Sequence, residues 1–212
     1  MNLKEYLRPI KLILKRTSWV LIRVVNKVRL PVNSDGRVLL HLGCGPINAK
    51  GYTNVDVQPF PHVHYVHGVY PLEIFQSNSV DLVYVSHVLE HFSFKELPSV
   101  LKEWKRILKV GGILRLGVPN FEVLTKIYID TGDINSILGP LMGGQTDRYN
   151  FHYSVFDLKY LTNLLNEAGF TKIQLWDPAQ VDNHLFDDTT GNVWNILGKS
   201  YSISLNVQSV NQ

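Results

Sequence analysis

Cysteine is nearly absent from this chain of 212 residues: Cys44 stands alone, which excludes an intramolecular disulfide and any cage of thiolates around zinc. So sparse a thiol content points to a reducing compartment. Charge is also thin, at 18% Asp, Glu, Lys and Arg, and no stretch reaches the roughly 18 to 20 apolar residues that a bilayer span requires. A cleavable leader needs an unbroken apolar run and a small-residue cleavage site. Lys15, Arg16 and Arg23 interrupt every candidate run, so no export is expected and the expected location is cytoplasmic. Repeats and low-complexity tracts are lacking too. At 45% hydrophobic, a chain of this length suits one core, and therefore one site.

What charge there is lies unevenly. Residues 1–29 carry eight Lys or Arg against the single acid Glu5, whereas the remainder carries thirteen basic and seventeen acidic residues. A mildly acidic body disfavours a general nucleic-acid groove, so no nucleic-acid partner is expected. In the basic opening, Leu3, Leu7, Ile10, Ile13, Leu14, Val20, Leu21, Val24, Val25 and Val28 recur at roughly helical spacing, with the charges mostly between them. The pattern predicts a pair of amphipathic helices over 1–30, ahead of a domain over 31–212. Two roles stay open for the pair: packing over the domain with a solvated basic face, or peripheral contact with an anionic membrane surface or a phosphate-bearing acceptor.

From residue 31 the pattern alternates between strands and helices. Strands are expected at 37–42, 52–57, 62–67, 79–86, 113–118, 170–176 and 201–210. Helices are expected at 93–109, ended by Gly111-Gly112, and at 156–168, with Asp157 near the start and Gly169 at the stop. The stretch 131–153, with Gly139-Pro140 and Gly143-Gly144, reads as a long loop of the kind that is often functional. The predicted class is α/β: a Rossmann-like, mostly parallel sheet with helices on both faces.

In such sheets ligands bind beyond the carboxyl ends of the strands. The first such end is Gly43-Cys44-Gly45-Pro46, where glycines let the backbone pass close to a ligand. The second is Asp56, whose carboxylate can accept hydrogen bonds from both hydroxyls of a ribose. A nicotinamide fingerprint fits poorly. Asn48 holds the third glycine position, the acid comes too early, and the connection between the two strands is too short for a helical crossover.

Taken together, Val38 to Gly45, Asn54-Val55-Asp56, Ser86-His87-Val88-Leu89-Glu90-His91 and Leu108 to Gly112 resemble the class I S-adenosylmethionine-dependent methyltransferases. The likeness runs from about residue 37 to 176. Within that superfamily the chain is most similar to small enzymes associated with surface-polysaccharide (glycan) synthesis, which share a short first crossover and a His-Tyr-Ser-x-Phe-Asp stretch, here His152 to Asp157. The resemblance implies S-adenosylmethionine as cofactor, with Gly43, Cys44 and Gly45 against its methionine part, Asp56 on the ribose, and Val57 lining the adenine. Gly68-Val69 stands where the family usually has Gly-Asp, so that Glu73, a backbone carbonyl or packing alone would hold the adenine. Ser86 and His87 would sit beside the methyl group.

Methyl transfer is an in-line displacement in which the protein aligns the acceptor and excludes water, and a base is needed only when the acceptor is protonated. For a sugar hydroxyl the candidate bases are His87, His91 and His152. Each also has a structural reading as a packed, hydrogen-bonded ring. Gln145, Asp147, Arg148 and Tyr149 are expected to close over the acceptor. Phe151, Tyr153, Phe156 and Trp176 stack on a sugar or pack in the core. Asp182, His184, Asp187 and Asp188 have the ligand types for a divalent cation but read as a solvated loop, and no metal is expected. The expected reaction is O-methylation of a sugar hydroxyl on a glycan or small saccharide. The alternatives are a methyltransferase of a lipid-like or quinone acceptor, and a non-catalytic cofactor-binding module of a glycan-synthesis system.

Overall fold

The computed structural model describes residues 14–23 and 28–212. Its centre is a seven-stranded sheet of β1 (Leu39–Leu42), β2 (Tyr52–Asp56), β3 (Tyr65–Val66), β4 (Val80–Ser86), β5 (Leu108–Pro119), β6 (Phe170–Leu175) and β9 (Ser204–Asn211), in the order β3-β2-β1-β4-β5-β9-β6. The first five strands pair in parallel, while β9 runs antiparallel between β5 and β6. All four residues of β1 are buried, as expected for a central strand covered on both faces. Leu40 and Leu42 face one core with Val83 and Val85, and Leu39 faces the other with Leu82 and Tyr84.

The first core is closed by α2 (Leu97–Ile107) and α5 (Leu158–Glu167). Helix α2 places Leu97, Val100, Leu101, Trp104 and Ile107 on a single buried stripe, each such burial contributing about 1.5–3 kcal/mol. Over β1 and β4 the second core is covered by Trp176, Val181 and Phe186, from the segment after β6. Helices α3 (Phe121–Thr131) and α4 (Asn135–Met142) close a third cluster with Tyr201 and Ile203, beside the hairpin of β7 (Val193–Ile196) and β8 (Lys199–Ser202). In the N-terminal segment, residues 14–23 form helix α1. Its Trp19 ring lies 4.5 Å from that of Phe60, and the Arg23 guanidinium donates to the Val63 carbonyl. The rest of the predicted helix pair, 1–13 and 24–27, lies outside the described residues.

Several elements differ from the sequence pattern for identifiable reasons. Gly111-Gly112 does not end α2, which stops at Ile107 with the Asn211 amide donating to the carbonyls of Lys105, Leu108 and Lys109. The glycines instead form a bulge at the start of β5, where the pairing jumps from Val80↔Leu108 to Leu82↔Ile113. Gly111 is left-handed there, and a Cβ on Gly112 would stand 2.8 Å from the Lys109 carbonyl oxygen. Helix α4 lies inside the stretch read as loop, with Pro140 in its last turn. The strand expected over 201–210 divides at Ile203 into β8 and β9.

Candidate active site

The carboxyl ends of β1, β2 and β4 open into a cavity of about 580 Å³, within the usual size for a small-molecule site. Its floor begins at Gly43, whose φ of +66° and close approach to Val88 leave no room for a side chain: an added Cβ would collide with Val88 Cγ2. Gly45, at φ +53°, faces open space. Asp56, at the end of β2, is 7% exposed, and its carboxylate accepts from Gly45 N at 2.7 Å and Gln58 N at 2.6 Å. These bonds fix both oxygens at the cavity wall with lone pairs to spare. Burial raises the Asp56 pKa above its usual value against the pull of the two N–H donors.

At one end the lining continues through Val57, Phe60, Gly68, Val69 and Tyr70. The Gly68 carbonyl already accepts from His67 Nδ1 at 2.8 Å and the Val69 carbonyl from Trp104 Nε1 at 2.9 Å. Glu73 is exposed and outside the lining. Of the three expected adenine holds, Glu73 does not reach the lining, while packing and a backbone carbonyl both stay open, since each of these two carbonyl oxygens keeps a second lone pair.

At the other end stand His87, Val88, His91 and Phe92. His87 follows β4 in the left-handed region, at φ 52°, which is uncommon for a non-glycine residue. Both its nitrogens are engaged: Nε2 is 2.7 Å from Ser204 Oγ and Nδ1 is 3.3 Å from Glu90 Oε1. His91 Nδ1 donates to the Phe151 carbonyl at 2.9 Å and His152 Nδ1 to the Pro140 carbonyl at 2.9 Å, so Nε2 is the nitrogen of each ring left to gain or lose a proton. Between the three histidines the Glu90 carboxylate is wholly buried. Burial pushes its pKa up, but the facing rings of His87, His91 and His152 outweigh that and hold it below the ordinary glutamate value. Burial lowers the His152 pKa, against the attraction of Glu90.

The mouth is formed by 147–153. Asp147, Arg148, Tyr149, Asn150, Phe151 and Tyr153 all line it. This loop is fastened to the turn at Leu89–His91, since Tyr153 N and Ser154 N both donate to the Glu90 carbonyl, at 2.8 and 3.3 Å.

The fold thus collects Gly43, Gly45, Asp56, Val57, Gly68, Val69, His87 and His91 in one cavity. Cys44, Ser86 and His152 are not in its lining. The Cys44 thiol points to His62 Nε2, 3.8 Å away, and burial raises its pKa further. His152 stands behind His91, ring centroids 4.9 Å apart, with Nε2 3.9 Å from Glu90 Oε1. Gln145 also lies outside the lining. The aromatic four divide: Phe151 and Tyr153 line the cavity, whereas Phe156 and Trp176 are core. Of the late acidic cluster, Asp182 is taken by Arg37 and Arg115, and Asp188 by the Tyr84 hydroxyl and Thr190. Glu90 is the residue that sequence reasoning passes over, although an acid between Leu89 and His91, just beyond a buried strand, is a signal of its kind.

Residues 48–116 match the family model of the methyltransferase domain. No curated protein matches the chain. Among solved structures, an S-adenosylmethionine-dependent methyltransferase from Archaeoglobus fulgidus superposes with a TM-score of 0.52 at 14% identity, covering 92% of this chain and 93% of the other. The fold is that of the S-adenosylmethionine-dependent methyltransferases. A second such enzyme, from Methanosarcina mazei, gives 0.51 at 16% identity over 89% and 96% of the two chains. A third, the 1,6-didemethyltoxoflavin-N1-methyltransferase of Burkholderia thailandensis with bound 1,6-didemethyltoxoflavin and S-adenosylhomocysteine, gives 0.51 at 15% identity over 93% and 77%. A methyltransferase-domain match over 48–116 and a fold shared with S-adenosylmethionine-dependent methyltransferases make S-adenosylmethionine the group to test against this cavity. The residues present fit that group: a side-chain-free floor at Gly43 and Gly45, a carboxylate fixed at the end of β2, and a largely apolar recess at Val57, Phe60 and Val69.

Proposed function

We propose that the chain transfers a methyl group to a hydroxyl of a glycan or small saccharide. The observation that carries this reading is the continuity of one cavity from Gly43 and Asp56 to a histidine wall, under a mouth that mixes polar Asp147, Arg148 and Asn150 with aromatic Tyr149, Phe151 and Tyr153. Hydrogen-bonding groups interleaved with flat rings suit a polar, ring-shaped acceptor.

When bound, S-adenosylmethionine supplies an electrophilic methyl group on a sulfonium. Asp56 holds the ribose hydroxyls, Gly43 and Gly45 admit the amino-acid portion, and Val57, Phe60, Gly68 and Val69 pack on the adenine. Cys44 and Ser86 act through the backbone geometry of the two strand ends. The 147–153 loop orients the acceptor and keeps water out, which strengthens every polar contact inside. A sugar hydroxyl must lose its proton as the bond forms. His91, which lines that end of the cavity with Glu90 and His152 directly behind it, accepts the proton, and such assistance is worth about 10²–10⁴-fold. His87, with both nitrogens engaged, is a positioning residue.

A second reading, a lipid-like or quinone acceptor, is favoured by α1, where Leu14 and Leu21 are 65% and 62% exposed beside Lys15 and Arg16. The test offers purified protein and S-adenosylmethionine to a saccharide panel and, separately, to lipid-like and quinone acceptors, and reads methylation by mass spectrometry. A methyl ether on a saccharide is expected. Methylation confined to lipid or quinone acceptors replaces the proposal with the second reading, and binding without turnover on any panel replaces it with a cofactor-binding module.

A further inference from the structure

We infer that Glu90, His91 and His152 form a binding site for one divalent cation of the zinc class, at the edge of the acceptor cavity. One ligand atom from each residue lies within 4.8 Å of the other two. The Glu90 side chain is 1% exposed; His87 Nδ1 lies 3.3 Å from Oε1, outside good hydrogen-bond geometry, and Oε2 has no hydrogen-bond partner. A buried carboxylate so sparsely hydrogen-bonded is costly, and a protein that keeps one compensates it with positive charge.

The surroundings supply lone pairs where compensation is needed. His91 and His152 each commit Nδ1–H to a backbone carbonyl, so each ring, in its neutral form, presents Nε2 as a donor atom to a metal, and His152 Nε2 faces Glu90 Oε1 at 3.9 Å. Two imidazoles tethered through Nδ1–H to carbonyls, with Nε2 free, have the outer-shell arrangement that metal-binding histidines use to fix ring and tautomer. Two histidines and one carboxylate form a ligand set of catalytic zinc sites, which keep a position open for water or substrate. Tetrahedral donors at about 2.0–2.2 Å from a metal stand roughly 3.4 Å apart, so a cluster whose ligand atoms lie within 4.8 Å closes by up to about 1.4 Å through side-chain rotation.

The position gives the cation a use. His91 lines the cavity, so a cation held by its ring borders the acceptor space. This use rests on the proposed O-methylation; binding of the cation does not. With the cation bound, His91 would be a ligand and no longer a proton acceptor; a hydroxyl at the open position would be acidified by the cation, and its proton would pass to solvent at the cavity mouth.

The experiment strips the full chain with a chelator and titrates it with Co²⁺, followed by visible absorption, and with Zn²⁺, followed by calorimetry, in the absence of acceptor. One equivalent of Co²⁺ with ligand-field absorption is expected, weakened about 100-fold or more in Glu90→Gln and His152→Ala and retained in His184→Ala, each variant checked for fold by circular dichroism. Pulsed electron spin resonance of the Cu²⁺-loaded wild type reads the ligands without any substitution, and two imidazole nitrogens are expected. No stoichiometric binding to wild type, fewer than two imidazoles, or affinity indifferent to both ligand substitutions overturns the inference. Stoichiometric Co²⁺ binding with no saccharide methylation removes the proposed reaction and leaves the site. Saccharide methylation that survives chelation, with no Co²⁺ bound, removes the site and leaves the reaction.

Discussion

Replacing Gly43 and Gly45 separately by alanine divides the cradle into a part that the fold needs and a part that the ligand needs. Both residues are left-handed, a conformation that costs an L-residue about 1–2 kcal/mol. At Gly43 the new Cβ also collides with Val88 Cγ2, and Val88 is held in the main core beside Leu89, so overpacking adds about 1–3 kcal/mol. Gly45 has nothing within 4 Å of the added atom. Gly43→Ala is therefore expected to cost about 2–5 kcal/mol and Gly45→Ala about 1–2 kcal/mol. For a domain of this size, that lowers Tm by about 4–20 °C and about 2–8 °C respectively. The assay is thermal unfolding by circular dichroism, paired with calorimetric binding of S-adenosylmethionine. Gly45→Ala is expected to keep most of its stability while losing at least about tenfold in affinity, roughly 1.4 kcal/mol. A Gly45→Ala protein that is the less stable of the two, or that binds as wild type does, refutes the assignment of the two glycines.

Two further predictions concern buried titratable groups. His41 is fully buried, and burial lowers its pKa to about 3, so below pH 6.5 the unfolded chain takes a proton that the folded chain refuses. Stability is then lost as pH falls from about 6.5 towards 3; between pH 7.5 and 5, urea unfolding of wild type should lose about 2 kcal/mol more than His41→Leu, and equal losses contradict the reasoning. Cys44 is 2% exposed and burial holds its thiol above the ordinary range, so the native protein should resist a disulfide-exchange reagent at pH 8 and react once unfolded in urea; rapid native labelling contradicts that burial.

The central sheet was legible because its residues answer to simple patterns. Leu39 to Leu42 is a short apolar run stopped by glycine, the connection to β2 is too short for a helix, and α2 carries five buried residues at helical spacing. Helices α3 and α4 were hidden for the opposite reason. They bury only Leu124 and Ile127, and only Ile137, respectively, and Pro140 sits within α4, so each presents a faint stripe. In the site, strand ends located Gly43, Gly45 and Asp56, because their places follow from the sheet alone. His152 and Glu90 depend on a contact between the turn after β4 and a loop some 60 residues later, and local spacing carries no record of that contact. The bulge at Gly111-Gly112 was misread because a helix stop and a strand bulge ask the same backbone freedom of glycine.

The account stands most directly on calorimetric titration of the purified chain with S-adenosylmethionine and, separately, with NADH, for wild type and Asp56→Ala. Micromolar binding of S-adenosylmethionine, weakened by the substitution, with no binding of NADH, is the predicted result. Binding of NADH in its place, or affinity for S-adenosylmethionine indifferent to loss of the Asp56 carboxylate, would contradict it.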